Sequence, residues 1–189
     1  MNPLIDRLPD TLEVAGKVYS IDADFRTCLR IIQAFEDQEL SPAERQGVMI
    51  DLLYKRRPDN LLEAAKQAVL FLNCGEEEGE ENSESASRLY SSTHDSRFIY
   101  TAICQTHGID LTQVDFLHWW KFCCLFMDLR EDCFFSRLVY LRRQKQRGKL
   151  TREEREAIDG MRSVFELPMQ VNGDERAEID EFMKALKGG

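Results

Sequence analysis

The stretch FLHWWKFCCLFMDL, residues 116–129, decides how this chain is to be read. Two tryptophans stand side by side, two cysteines follow, and only His118, Lys121 and Asp128 interrupt an otherwise apolar run. Those three fall at helical spacings and make one thin polar stripe. A helix apolar nearly all round is either the central helix of a bundle or one that gives one face to the core and another to a partner. Successive side chains on a helix are about 100° apart, so Trp119 and Trp120 are expected to serve two different contacts. Trp is enriched at interface hot spots, which makes Trp119, Trp120, Lys121, Phe122 and Phe126 the candidate partner-binding residues. Trp120, beside the polar Lys121, is expected to be the outward one.

Working outward, the neighbouring segments are helical, with one exception near the start. LEVAGKVYSI, residues 12–21, alternates about Ala15-Gly16 and reads as a β-hairpin, though Asn-Gly or Asp-Gly makes a better turn pair. The period then changes. Phe25, Cys28, Leu29, Ile32 and Phe35 share one helical face. Ser41-Pro42-Ala43-Glu44 opens a second helix with a capping box, and Val48, Met49, Leu52 and Leu53 supply its apolar side. Leu61, Leu62, Ala65, Ala68, Val69 and Leu72 mark a third, which Gly75 is placed to end with a left-handed cap. A helix over 97–107 ends at Gly108, and Thr112 is expected to cap the Trp helix. Phe134, Leu138 and Leu141 lie on the next. A second capping box, Thr151 to Glu154, opens a helix carrying Ile158, Met161, Val164 and Phe165. A short amphipathic helix with Ile179, Phe182, Met183 and Leu186 is expected in a C-terminal tail over 169–189.

Residues 75–96, GEEEGEENSESASRLYSSTHDS, break this pattern. Six of the first ten are Glu and none is basic. So little apolar surface does not offset ordering entropy, and the stretch reads as a mobile acidic surface linker within a helical domain over 1–168. The fold class expected is therefore mainly α: a single helical bundle with a short N-terminal hairpin.

Composition narrows the function. The 189 residues carry a formal net charge of −9, which disfavours nucleic acid as a partner. No run approaches the roughly 20 apolar residues that span a bilayer. The N-terminus, MNPLIDRLPD, has no apolar signal core, so a reducing cytoplasm and free thiols are expected for the six cysteines. Cys104 and His107 share a helix face, but two ligands do not make a zinc site. Adjacent Cys123 and Cys124 are awkward to bridge. Buried thiols acting as small hydrophobes are the simpler reading, and no metal or cofactor is expected. Phosphate loops, the GxSxG elbow and HExxH are all missing, so no enzyme is expected. The basic run LRRQKQRGK, 141–149, reads as cations at a helix C-terminus followed by a polar loop, with phosphate binding as the other reading.

Several segments together resemble the bacteriophage gp-fifteen family: PLIDRLPDTLEVAGKVYSIDADFR, IYTAICQTHGIDLTQVDFLHWWKFCCLFMDL and the later FELP. The most specific parts are Gly16, Tyr19 and Asp24-Phe25-Arg26, then Gly108-Ile109-Asp110-Leu111 with Trp119-Trp120-Lys121-Phe122. The resemblance covers residues 3–168. Ala15 departs from the acidic turn residue usual there, and Cys123-Cys124 replaces ordinary core residues. The resemblance implies a tail-morphogenesis protein of phages and prophages, similar by gene position to tail-assembly chaperones. The partners implied are the tape-measure protein and the tail-tube protein, with action in the host cytoplasm and departure before the virion is complete. A minor structural tail protein retained in the particle is the alternative. The resemblance brings no functional residues with it.

Overall fold

The computed structural model describes residues 4–76 and 88–168. Strands β1 (Thr11–Val14) and β2 (Lys17–Ser20) pair antiparallel, Thr11 opposite Ser20 and Val14 opposite Lys17. The turn between them places Ala15 at φ 50° and Gly16 at φ 77°, the two left-handed positions of a type I′ turn. Gly16 adopts this without strain. Ala15 does so at a cost that an Asn or Asp would reduce.

Eight helices follow among the described residues: α1 (Phe25–Glu36), α2 (Pro42–Leu53), α3 (Leu61–Leu72), α4 (Ser96–His107), α5 (Trp119–Met127), α6 (Phe134–Gln146), α7 (Arg152–Asp159) and α8 (Arg162–Phe165). Both capping boxes form, at Ser41 with Glu44 and at Thr151 with Glu154. Gly108, at φ 68°, ends α4 as expected.

Several local expectations are corrected. On α1 the buried face includes Ile31, while Phe35 is exposed, so the helix is rotated from the simplest apolar count. On α3, Ala64, Ala68 and Phe71 are buried and Leu62 is exposed. Its end is a Schellman turn in which Gly75 N–H donates to Leu70 O and Cys74 N–H to Phe71 O. Cys74 as well as Gly75 is therefore left-handed, at φ 57° and 83°. Thr112 does not cap the Trp helix; its N–H donates to Asp110 Oδ1 in a turn well before α5. The single helix expected after Thr151 breaks at Gly160 into α7 and α8.

Of the acidic stretch, 77–87 lie outside the described residues. The part from Arg88 onward is pinned rather than a free linker: Arg88 pairs with Glu36 at 2.6 Å, and Ser91 Oγ and Ser92 N–H donate to the same carboxylate. The tail over 169–189, with its expected amphipathic helix, also lies outside the described residues.

One large core joins the hairpin, α1 to α5 and the start of α6, with Cys28, Ile31, Leu53, Ala64, Ala68 and Ile103 fully shielded. A smaller core holds Leu138, Leu141, Ile158 and Phe165. The blocks on which the family resemblance rests meet in space. Asp24 caps α1 through Arg26 N–H and also accepts from Leu117 N–H at 3.2 Å. Arg26 donates to the carbonyls of Leu111 and Val114 at 2.9 and 2.6 Å. Phe25 N–H donates to Leu117 O, and Trp119 N–H to Ala23 O. This node seats the start of α5 against the start of α1.

Candidate functional site

Helix α5 begins at His118, which is buried rather than part of a solvated stripe. Its Nδ1 accepts from Trp120 N–H at 3.1 Å, and its Nε2 lies 3.0 Å from Pro9 O. A ring nitrogen that accepts from a backbone N–H carries no proton, so Nε2 holds it and donates to Pro9. The histidine thus caps a helix whose next residues are too apolar to cap themselves.

Both tryptophans then turn to the same place. Trp119 Nε1–H donates to Leu72 O at 2.9 Å, and Trp120 Nε1–H to Phe71 O at 2.8 Å. The last carbonyls of a helix lack intrahelical partners, and here two adjacent indoles donate to two of them, Phe71 O accepting from Cys74 N–H as well. Trp119 is buried; Trp120 is half-buried and stacks on Phe71, centroids 6.0 Å apart. The two rings do make different contacts, Trp119 with Phe122 and Trp120 with Phe71, and Trp120 is the more exposed of the two; what was not expected is that an N–H on each ring reaches the same helix end. Trp120 also lies over Gly75, where an added Cβ would meet its ring at 3.2 Å. With φ at +83° as well, Gly75→Ala is expected to destabilise the fold by about 1–2 kcal/mol. A thermal melt followed by Trp fluorescence reads it, and an unchanged midpoint would show that the ring is free to move.

Beside this joint an apolar groove of about 1040 Å³ opens between α1, the end of α3, α4 and α5. Its floor is a run of near-parallel rings, Trp119, Phe122 and Phe126 from α5 and Phe25 from α1. Phe122 stacks with Phe25 (5.1 Å, 16°), with Trp119 (5.6 Å, 16°) and with Phe126 (6.3 Å, 18°). Leu29 and Ile32 form the α1 wall; Ile99 and Tyr100 form the α4 wall. Met127, 75% exposed, stands at the rim. Arg26 and Glu76 are the charged lining residues, and Arg26 is already committed to two carbonyls. The Tyr100 hydroxyl donates to Asp110 Oδ1 at 2.9 Å, and that bond pushes its pKa up to about 12.

Of the five residues singled out from the sequence, Trp119, Phe122 and Phe126 line this groove; Trp120 does not, and Lys121 is exposed outside it. Sequence reasoning missed Met127, Tyr90 and Tyr100 as lining residues. Leu29 and Ile32 were visible as an apolar face, but nothing local distinguishes a core face from a groove wall.

The thiols divide by environment. Burial pushes Cys28 up. Cys74 and Cys123 both line the groove; the Cys123 thiol nearby holds Cys74 below the ordinary thiol range, and Cys74 together with burial pushes Cys123 above it. His107 is taken up by Leu125 O at 2.8 Å, and no cluster of three or more metal-ligating side chains occurs among the described residues. No described helix is long and apolar enough to cross a membrane.

The basic run ends α6 as expected, with Arg143 and Lys145 in the last turn, but one of its arginines is buried. Arg142 is 4% exposed and forms a two-pronged pair with Asp95, itself fully buried. Arg143, Lys145 and Arg147 remain nearer the surface.

Compared with known proteins, the chain matches the family described as Bacteriophage Gp15 protein over residues 4–167. No curated protein and no solved structure matches it.

Proposed function

The chain belongs to the Bacteriophage Gp15 protein family, and from that premise we propose that it is a tail-assembly chaperone that binds and solubilises the tape-measure protein during tail morphogenesis. The observation that carries this reading is the ring-floored groove. At about 1040 Å³ it is lined mainly by aromatic and aliphatic side chains, and its Arg26 and Tyr100 are already committed to partners within the fold. An amphipathic helix fits such a surface, placing side chains at i, i+3, i+4 and i+7 against the rings. A long tape-measure helix offers that stripe repeatedly and is poorly soluble without a cover. The charge of −9 keeps the covered client in solution. No catalytic role is proposed. The chaperone acts in the host bacterial cytoplasm, recruits tail-tube subunits to the tape measure and leaves before the virion is complete.

Met127→Glu places a charge at the groove rim, at a residue already 75% exposed. It is expected to leave the melting temperature unchanged and to weaken capture of co-expressed tape-measure protein by about 2 kcal/mol. Capture at wild-type level would remove the groove as the client's seat. A minor structural tail protein is the second reading, because the same groove could hold a neighbour permanently. Mass spectrometry of purified virions separates the two: the chaperone is missing from the particle, and the structural subunit is present.

A further inference from the structure

The chain leaves the described fold beside the groove. Arg142 holds the carbonyls of Val164 and Phe165 at 2.9 and 2.8 Å, and the same guanidinium holds Leu89 O at 3.1 Å and both carboxylate oxygens of Asp95. Tyr90 and Ser96, which directly follow Leu89 and Asp95, line the groove. One side chain therefore bridges the groove edge and Phe165, and only Glu166, Leu167 and Pro168 follow among the described residues. Farther on, GDERAEIDEFMKALKG, residues 173–188, carries Ile179, Phe182, Met183 and Leu186 at i, i+3, i+4 and i+7. Asp174 stands at the cap position, Glu175 and Glu178 fall in the first turn, and Lys184 and Lys187 in the last, so caps and charges agree with a helix over 175–187. A helix so short is marginal in water by itself and needs an apolar surface to form.

We propose that residues 175–187 of this chain occupy the groove as a helix, with Phe182 and Met183 against the ring floor, and that a client helix must displace them. The spacing i, i+3, i+4, i+7 is the one the groove takes. Phe122 and Phe126, stacked one turn apart, offer a floor matched to side chains that repeat every turn. Eleven positions separate Pro168 from Ile179, a reach of roughly 35 Å when extended, about the diameter of a small domain. Tethering supplies an effective concentration on the order of 1 mM, an advantage no second copy shares. A segment that binds with an intrinsic Kd of about 0.1 mM would then fill the groove about nine-tenths of the time and raise a client's apparent Kd about tenfold. It would also cover an aromatic surface that invites aggregation when no client is present. Occupancy needs no client; the competition rests on the chaperone reading.

The test puts the photo-crosslinker p-benzoylphenylalanine in place of Phe182 in the full chain and irradiates an equal mixture of nitrogen-15-labelled and unlabelled protein. The expected product is a link, within one chain, to the tryptic fragment over 122–130, which holds Phe122, Phe126 and Met127. The same probe in place of Glu181, on the opposite side of the helix, should lose that link. Links between differently labelled chains, links chiefly outside the groove lining, equal links from both positions, or none would each overturn the seat. The competition is read separately: Phe182→Glu with Met183→Glu should tighten capture of co-expressed tape-measure protein about tenfold. Unchanged capture with the link intact would overturn the competition and move the client off the groove. A missing link, with Met127→Glu still weakening capture, would overturn this inference and leave the chaperone reading standing.

Discussion

Replacing Arg142 by alanine is expected to cost about 3–5 kcal/mol of stability, read as a fall in the urea midpoint. The guanidinium has five N–H groups and every one is used. Nη1 donates to Asp95 Oδ2 at 2.6 Å and to Leu89 O at 3.1 Å; Nη2 donates to Asp95 Oδ1 and to Val164 O, both at 2.9 Å; Nε donates to Phe165 O at 2.8 Å. Truncation strands a carboxylate with no solvent access, which keeps only Ser91 N–H at 3.0 Å, and it frees three carbonyls as well. Leaving one partner of a buried pair alone is where the large penalty arises. Arg142→Lys should recover little, because a point ammonium with three donors does not fit a five-acceptor cage. Changing Asp95 and Arg142 together to leucine should cost far less than the sum of the two single changes. A loss confined to about 0.5 kcal/mol for Arg142→Ala would show that water replaces the guanidinium, and the cage would carry none of the stability assigned to it. Since Arg142 is what ties the carbonyls of Val164 and Phe165 to α6, hydrogen exchange in α7 and α8 should rise first.

The second large effect falls on Trp119. Its ring is 7% exposed, stacks on Phe122 and donates to Leu72 O, so Trp119→Ala is expected to cost about 3–5 kcal/mol by transfer and cavity together. Trp119→Phe keeps most of the buried area and loses the indole N–H, for about 0.5–1.5 kcal/mol plus any penalty for the unpaired carbonyl. Trp120→Ala should also destabilise, though less, because that ring is half-buried. Client capture after Trp120→Ala should fall only as far as the fold does. If instead Trp120→Ala left the melt untouched and abolished capture, that indole would be facing a partner, and its bond to Phe71 O would not describe the working protein.

Much of the fold was legible because it rests on contacts a few residues apart. The Ala15-Gly16 turn, the two capping boxes and the Gly108 stop each depend on neighbours within about four positions, and such rules read directly from a string. The family resemblance was likewise a matter of local blocks. Where two local rules competed, the reading slipped. Thr112 is a good cap residue, but its hydroxyl donates to Asp110 in a turn well before α5, and a histidine tied to Pro9 capped the helix instead. The periodicity on either side of Gly160 continues through a break that a run of apolar residues does not reveal.

The order of residues alone dictates a mainly helical chain with a hairpin in front, the start and stop of most elements, and an aromatic α5. What those side chains meet is settled only by packing. The indoles reach α3 carbonyls 47 and 49 positions away, and Arg142 finds Asp95 across 47. Such separations carry no period and no spacing rule. A basic run with one buried arginine looks, letter by letter, like a basic run with none. The groove is the same kind of fact: four elements stand around a space, and the residues lining it come from core-like faces that packing left uncovered. A buried polar group is satisfied by whichever partner the fold delivers, so pair identity follows from packing, while helix and turn identity follow from the local chain.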